Sequence, residues 1–335
     1  MNNILVINRG VNTDNIGDRA INYTINKILL EKNVNVYNAN YTLLFENIKK
    51  RNNFFKNMFN MINNFKIIFR IGNIKHDKIL IGGGQLILDN YKFSLSLLIW
   101  VLLSKLLNNK KIFIYGVGVG SSFNIFNKTL YKVSINFIDK AFIRDSMSAE
   151  NLKKITANVN ISIIPDVVTV ISRYYKPKVK NYNNQLIIGT VDYRSIKRYD
   201  YMKFTEHEYM EYYKDIYFKY KDEYKCYLFG NTKGDMKASS KLSSLIKREY
   251  NIKLEVLNIN DLEELIDVIF NSNLVISGRM HALIIAYSYG VNYKVVDRNK
   301  KLKIFKYQYN IENRDIDEHF EVINKTINDI IYWEK

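Results

Sequence analysis

Apolar residues recur along this chain with two alternating spacings. Short, nearly continuous apolar runs bounded by polar residues or glycine predict buried strands, and longer stretches with apolar residues three or four apart predict helices. Strands are predicted at residues 4–7, 34–37, 78–81, 112–115, 141–143, 159–164, 186–191, 226–229, 253–256, 274–277 and 293–296. Helices are predicted at residues 18–30, in a polar stretch up to 70, in an apolar stretch through 107, and at 125–138, 205–220, 237–249, 261–270, 280–289 and 315–333.

Strands that alternate with helices are typical of parallel sheets covered by helices on both faces. The alternation stops at a basic and polar stretch that contains one of the chain's two prolines, and then starts again. We therefore predict an α/β fold with two domains, each built on a mostly parallel sheet. The predicted order is an N-terminal domain over residues 1–173, a linker over 174–184, a C-terminal domain over 185–310 and a final helix over 311–335.

The composition is that of a folded globular protein: 47% of the 335 residues are apolar and 25% are charged. The formal net charge is +17, but the basic residues are scattered and no nucleic-acid-binding motif occurs, so we expect no nucleic-acid partner. Cys226 is the only cysteine, which excludes an internal disulfide, and no Cys/His cluster predicts a metal site. Without a recognisable secretory signal, a reducing cytoplasm is the expected compartment.

Two stretches have the composition of membrane-contacting segments. The apolar run at residues 95–103 is too short to span a bilayer and is followed by Lys105, so a buried core helix is the preferred interpretation. The stretch at residues 53–70 is basic and aromatic. It is compatible with peripheral contact at the inner face of the cell membrane, and an ordinary amphipathic helix or an active-site lid explains it equally well.

Polar residues and glycines collect where the predicted strands of the N-terminal domain end, the edge at which doubly wound sheets bind ligands. Asn15, Gly17 and Asp18 follow the first strand. Gly17 permits a tight turn, and Asp18 either caps the next helix or acts as a base, with capping the simpler interpretation.

Two glycine runs are predicted to follow the third and fourth strands, and their sequences are Gly82-Gly83-Gly84-Gln85 and Gly116-Val117-Gly118-Val119-Gly120. Backbone N–H groups without neighbouring side chains let a ligand approach closely. Neither run has the pattern of a Walker loop or a dinucleotide-binding fingerprint, and a structural turn or tight packing explains them equally well.

Charged residues follow the fifth and sixth strands. Arg144 either pairs with the neighbouring Asp145 or points into a cleft between the predicted domains, and Asp166 either orients Arg144 or caps a turn. Ser146 or Ser148 is the simplest candidate for the cap of the next helix.

The most specific pattern is Ser277, Arg279 and His281, where a buried strand meets a helix that is apolar on every face. A helix N-terminus offers free N–H groups to an anion, arginine adds a permanently charged fork, and histidine can exchange a proton near neutral pH. We favour anion binding here over a structural salt bridge. Asn231 follows another strand and is a candidate for the same ligand or an ordinary loop residue.

Taken in order, these motifs resemble those of polysaccharide pyruvyl transferases over roughly residues 12–292. The resemblance rests on Asn15-Ile16-Gly17-Asp18, Gly82-Gly83-Gly84-Gln85-Leu86 with Asp89, Arg144-Asp145 with Ser148, Pro165-Asp166, and Ser277-Gly278-Arg279-Met280-His281 with Ala286 and Gly290. The Ser-x-Arg-x-His pattern is its most specific part. One departure is Asn292, where the family usually has proline.

The resemblance implies a GT-B-like arrangement of two Rossmann-like domains with an interdomain cleft. It also implies that phosphoenolpyruvate is the donor substrate, and that no separate cofactor or metal is needed. Arg144 and Arg279 match the arginines thought to hold the donor, with His281 beside them, and Asp18 matches the acidic residue of the Asn-x-Gly-Asp motif. The product would be a pyruvate ketal on a sugar of a cell-surface glycan or its precursor, and the acceptor could be lipid-linked, nucleotide-linked or polymeric.

Two other functions are compatible with the same residues. One is a sugar-nucleotide glycosyltransferase of GT-B architecture, which would be indifferent to phosphoenolpyruvate. The other is a basic module that binds an anionic glycan or another polyanion without turnover, and whose affinity would fall steeply with salt. The sequence does not indicate an oligomeric state.

Overall fold

The computed structural model describes residues 2–11, 13–48, 53–73, 76–179, 184–199, 204–296, 300–310, 312 and 314–333. The strands are β1 (Asn3–Asn8), β2 (Asn35–Asn40), β3 (Lys78–Ile87), β4 (Lys111–Val119), β5 (Lys140–Ile143), β6 (Ile161–Ile163), β7 (Gln185–Gly189), β8 (Lys225–Phe229), β9 (Glu255–Val256), β10 (Leu274–Ser277) and β11 (Asn292–Val295). The α-helices are α1 (Ile16–Glu31), α2 (Phe54–Gly72), α3 (Tyr91–Asn108), α4 (Ile125–Ile135), α5 (Ser146–Lys153), α6 (Tyr193–Tyr199), α7 (Glu206–Tyr220), α8 (Lys233–Tyr250), α9 (Leu262–Phe270), α10 (Met280–Tyr289), α11 (Lys300–Gln308) and α12 (Ile316–Ile331).

The chain forms two compact units that are not contiguous in sequence. The first unit contains Met1–Asn12, Ile21–Val167 and Asp317–Lys335, and the second contains Thr13–Ala20 and Val168–Ile316. The first turn of α1 therefore belongs to the second unit. The domain boundaries drawn from the sequence stay a prediction, and the predicted linker at 174–184 lies partly outside the described residues.

The first unit is built on a six-stranded sheet with the order β2-β1-β3-β4-β5-β6, in which every pairing is parallel. Strand β1, which lies between β2 and β3, is buried along almost its whole length, as continuous apolar runs in parallel sheets require. The C-terminal helix α12 completes this unit. Tyr115 of β4 contacts Thr326 with its hydroxyl group at 2.9 Å, and the ring of Phe113 lies edge-on to Trp333.

The second unit is built on a five-stranded parallel sheet with the order β11-β10-β7-β8-β9. Its core lies between β7, β8 and β10 on one side and α7 and α8 on the other, with Tyr213, Leu228 and Leu242 among the fully buried side chains. The predicted α/β class, with two parallel sheets and alternating helices, is confirmed.

Two further findings concern the sequence predictions for helices. None of the helices in the described part of the chain is long and apolar enough to cross a membrane. The apolar helix α3 places Leu97, Trp100 and Val101 in the core of the first unit, which confirms the interpretation as a core helix.

Candidate functional site

The Ser-x-Arg-x-His motif lies where β10 ends and α10 begins. Ser277 is fully buried, and its Oγ accepts a hydrogen bond from the backbone N–H of Arg279 at 3.0 Å. Arg279 is the N-cap residue of α10 in an extended conformation, and its side chain does not cap the helix. The first N–H groups of α10 therefore lack a capping side chain, which is the arrangement that favours an anion.

The guanidinium of Arg279 forms a two-point ion pair with Asp235. Its Nε and Nη2 atoms donate to the Asp235 carboxylate at 2.8 and 2.6 Å. Asp235 is completely buried, whereas 26% of the Arg279 side chain is exposed. The structural salt bridge that was the less favoured expectation is therefore present at one edge of the guanidinium. The sequence did not identify Asp235 as the partner. Within the described residues Nη1 makes no hydrogen bond, so the opposite edge is left for a ligand.

Asp235 is fixed independently of Arg279. It lies in the first turn of α8, where its N–H donates to the capping Thr232 hydroxyl at 3.1 Å, and its carboxylate also accepts the backbone N–H of Asp192 at 2.9 Å. Burial lowers the pKa of Arg279, but the charge of Asp235 and the hydrogen bonds to it outweigh burial, so the pKa is raised. The arginine is thus held charged and in one orientation.

The first turn of α1 packs against the start of α10. The backbone N–H of Ile16 donates to the carbonyl of Asn231 at 3.1 Å, and Asn15 caps the helix by accepting the N–H of Gly17 at 3.1 Å. A Cβ atom on Gly17 would lie 2.6 Å from Nδ1 of His281. Gly17 is therefore required because the imidazole lies directly on its backbone, rather than because of a turn.

Asp18 lies inside the first turn of α1. The prediction that it caps this helix was wrong, because Asn15 occupies the cap and Asp18 follows three residues later. Only 8% of Asp18 is exposed, and its Oδ2 is buried, as is Nε2 of His281. A carboxylate in this position is stabilised by the partial positive charge at the helix N-terminus.

Asn231 contributes a buried amide to the same place. It is 2% exposed, and its Oδ1 has no hydrogen-bond partner among the residues that the structure describes. A buried carbonyl oxygen without a partner is costly, so its presence indicates a ligand or water that donates to it. Sequence reasoning had left Asn231 between a ligand contact and a surface loop, and its burial excludes the surface loop.

The glycine runs of the first unit lie inside strands and not in loops after them, except for Gly120, which follows β4. Gly83 and Gly84 belong to β3 with φ angles of 78° and 73°, and Gly118 belongs to β4. A Cβ on Gly83 would lie 1.8 Å from Ile21 Cγ2, so close packing of α1 on the sheet requires this glycine. Gln85 pairs with Gly118 across β3 and β4.

Arg144 lies over Gly118, where a Cβ would come within 2.5 Å of its Nη2. The guanidinium is 5% exposed and contacts Asp145 at 3.4 Å and Asp166 at 3.5 Å, so both predicted acidic neighbours are present. Asp145 also caps α5 by accepting the N–H of Ser148 at 2.6 Å. The cap is therefore Asp145, and the prediction of Ser146 or Ser148 was wrong.

The predicted site residues thus fall into two groups, one in each unit. The group in the second unit consists of Asn15, Gly17, Asp18, Asn231, Ser277, Arg279 and His281, and the group in the first unit consists of Gly83, Gly84, Gln85, Gly118 and Arg144. Sequence reasoning missed Asp235, whose only local signal is its place three residues after Thr232, where it resembles an ordinary first-turn acid. No cluster of His, Cys, Asp or Glu suited to a metal occurs within the described ranges.

The sequence matches a family model, that of polysaccharide pyruvyl transferase, over residues 15–292. A comparison with curated proteins found no match.

Solved structures of similar fold include three enzymes of low sequence identity. The UDP-GlcNAc 2-epimerase from Neisseria meningitidis bound to UDP-GlcNAc is 13% identical with a TM-score of 0.58, covering 98% of this chain and 100% of the other. The S. aureus MnaA–UDP structure is 13% identical with a TM-score of 0.58, covering 99% and 97%. The UDP-GlcNAc 2-epimerase from Methanocaldococcus jannaschii is 12% identical with a TM-score of 0.56, covering 96% and 91%. The likeness establishes a GT-B-type fold with two Rossmann-like domains.

Proposed function

Because this chain belongs to the polysaccharide pyruvyl transferase family, we propose that it transfers the pyruvyl group of phosphoenolpyruvate to two hydroxyls of a sugar. The product is a pyruvate ketal on a cell-surface glycan or its precursor, and phosphate is released. One observation carries the proposal: the starts of α1 and α10 meet, so that the imidazole of His281 lies on Gly17 between the two helix N-termini.

This meeting point suits a small anion that carries both a carboxylate and a phosphate, such as phosphoenolpyruvate. Asp235 cancels the formal charge of Arg279, so the ion pair alone would attract an anion only weakly. The uncapped N-terminus of α10, however, carries roughly half a positive charge, and its free N–H groups are directed donors. The Nη1 edge of Arg279 adds donors in a plane fixed by Asp235, which suits a carboxylate or phosphate.

The chemistry requires one proton donor, one proton acceptor and an exit for phosphate. A sugar hydroxyl attacks C2 of the enol while C3 gains a proton, phosphate then leaves from C2, and a second hydroxyl of the same sugar attacks C2 and loses its proton to close the ring. We assign His281 as the general acid or the partner of the leaving phosphate, and Asp18 as the base for the hydroxyl. Positioned acid–base groups of this kind contribute about 10² to 10⁴ in rate.

The remaining residues have supporting roles in this proposal. Asn231 offers its buried Oδ1 to a hydroxyl of the acceptor or of a bound water. Arg144, held by Asp145 and Asp166 in the first unit, is proposed as the second arginine for the donor. The scheme uses phosphoenolpyruvate as a substrate and requires no separate cofactor or metal. The proposed compartment is the cytoplasm, where phosphoenolpyruvate is available as a metabolite.

The test is phosphate release from phosphoenolpyruvate across a panel of sugar acceptors, preceded by a thermal shift with the donor. We expect His281→Ala to lower the rate at least about 10²-fold. The matched control is His207→Ala, which changes an exposed histidine on α7 of the same unit and should leave the rate unchanged. Normal turnover in His281→Ala would contradict the assignment.

The two alternatives predict different results in the same assays. Stabilisation by a nucleoside diphosphate sugar, with indifference to phosphoenolpyruvate, would identify a sugar-nucleotide glycosyltransferase. Salt-sensitive polyanion binding without phosphate release would identify a binding module.

A further inference from the structure

Over most of its length helix α2 turns asparagines toward the protein, and it buries apolar side chains, those of Ile68 and Ile71, only near its C-terminal end. Asn60 donates from Nδ2 to the carbonyl of Asn47 at 3.1 Å, and Asn64 donates to the carbonyls of Leu44 and Glu46 at 3.2 and 2.8 Å. A surface helix normally buries its apolar stripe and turns its polar face to water. Here the asparagines attach the helix to the preceding loop.

The opposite side of α2 exposes large apolar side chains. Phe54, Phe55 and Phe59 are 74%, 72% and 62% exposed, and the face continues with Met58, Met61, Ile62, Phe65 and Phe69. Apolar side chains scattered singly on a surface need no explanation, but a contiguous patch of this kind marks an interaction surface.

The charged residues of the segment that contains α2 have one sign. Residues 47–76 contain seven Lys or Arg and no Asp or Glu. On the described helix Lys56, Lys66 and Arg70 are all exposed beside the phenylalanines. A partner must therefore offer an apolar layer and negative charge together.

We propose that α2 is a membrane-contact helix that lies flat on a lipid bilayer containing anionic headgroups. The phenylalanines would enter the boundary between headgroups and acyl chains, and the lysines and arginine would remain among the phosphates. With 19 residues the helix is about 28 Å long, enough to lie along the surface. The proposal does not depend on the proposed activity.

A second copy of the chain fits this surface less well than a bilayer does. In a two-fold dimer the same patch meets itself, so the cations of one α2 would face the cations of the other. A bilayer with anionic lipids instead supplies counter-charges at every point along the helix. Charge complementarity thus selects the lipid surface as the occupant.

The experiment is co-sedimentation of the full chain with vesicles of phosphatidylcholine alone or mixed with phosphatidylglycerol. We expect binding to the anionic vesicles that weakens as salt is raised, and much less binding to neutral vesicles. Phe59→Asp should weaken binding by about tenfold or more. The substitution removes a ring that would enter the bilayer and adds a negative charge that the anionic headgroups repel.

The matched control is Phe126→Asp on α4, because Phe126 is also 62% exposed and lies in the same unit but outside the α2 face. Both variants should keep the parental circular dichroism and melting temperature. A combined Lys56→Gln and Lys66→Gln variant should lose preference for anionic vesicles while retaining some binding.

Three results would overturn the proposal. One is the absence of binding to anionic vesicles, and another is equal binding by Phe59→Asp and Phe126→Asp. The third is a concentration-dependent dimer that Phe59→Asp abolishes without any binding to vesicles, which would make a second copy the occupant.

Discussion

The ion pair between Arg279 and Asp235 leads to a prediction about stability that also bears on function. In Arg279→Gln the carboxylate of Asp235 stays fully buried, and of its charged and backbone partners only the N–H of Asp192 remains. Breaking a buried pair by removing one partner costs about 3–5 kcal/mol. Because a quarter of the arginine side chain is exposed, we expect a cost near the lower limit, about 3 kcal/mol.

Asp235→Asn should cost less than Arg279→Gln. The asparagine can still accept the N–H of Asp192, and the partly exposed guanidinium can recover hydration, so we expect about 1–2 kcal/mol. The double variant leaves no uncompensated charge. Its cost should fall short of the sum of the single costs by roughly 1–3 kcal/mol.

Urea unfolding measures these differences. Both tryptophans of the chain, Trp100 and Trp333, lie in the first unit, so far-UV circular dichroism is the better probe for the second unit. If the costs of the two single substitutions sum to the cost of the double variant within about 0.5 kcal/mol, the predicted coupling between Arg279 and Asp235 is refuted. The double variant then serves as a folded background: an activity loss that it shares with Arg279→Gln reflects a lost ligand contact and not misfolding.

Two further predictions follow from single contacts. Gly17→Ala places a methyl group against the imidazole of His281. Phosphate release should therefore fall about tenfold or more, while the free energy of unfolding changes by less than about 1 kcal/mol. Unchanged phosphate release would show that the position of the imidazole is unimportant. Burial raises the pKa of Asp139, but its hydrogen bonds to a backbone N–H, Lys105 and Lys111 outweigh burial, so the folded-state pKa is lowered from its ordinary 3.8. The stabilisation is therefore present above that value and is lost as the pH falls through the lower folded-state pKa. Asp139→Asn should be about 1–2 kcal/mol less stable near neutral pH and equally stable in strong acid, as measured by urea unfolding at several pH values.

The order of strands and helices could be predicted because continuous apolar runs and helical spacing are local signals. The predicted and observed limits of β10 and α10 coincide, and those of β1 differ by one residue at each end. The glycine runs were predicted to follow the strands because only apolar side chains were taken as signs of a strand. Gly83 and Gly84 continue β3 without side chains, and the pairing of Gly82 and Gly84 with β4 is visible only in three dimensions.

The parts of the candidate site that could not be predicted depend on long-range partners. Asp235 is 44 residues from Arg279 in sequence and has the local appearance of a helix-start acid. Similarly, periodicity indicates that α2 has an apolar face and a polar face, but not which of them the protein covers. The carbonyls of Leu44 and Glu46, which accept from Asn64, and the burial of Ile68 in the core together determine which side faces the protein.

The path of the chain between the two units limits how this protein can be divided. It passes from one unit to the other after residues 12, 20, 167 and 316. A fragment ending near residue 173 would lose α12 and Trp333, which contact Tyr115 and Phe113. It would keep the first turn of α1 but lose His281, whose imidazole packs against Gly17 in that turn. Neither half is a removable module, so a chimaera with a related enzyme would have to exchange three separate segments to transplant the first unit intact.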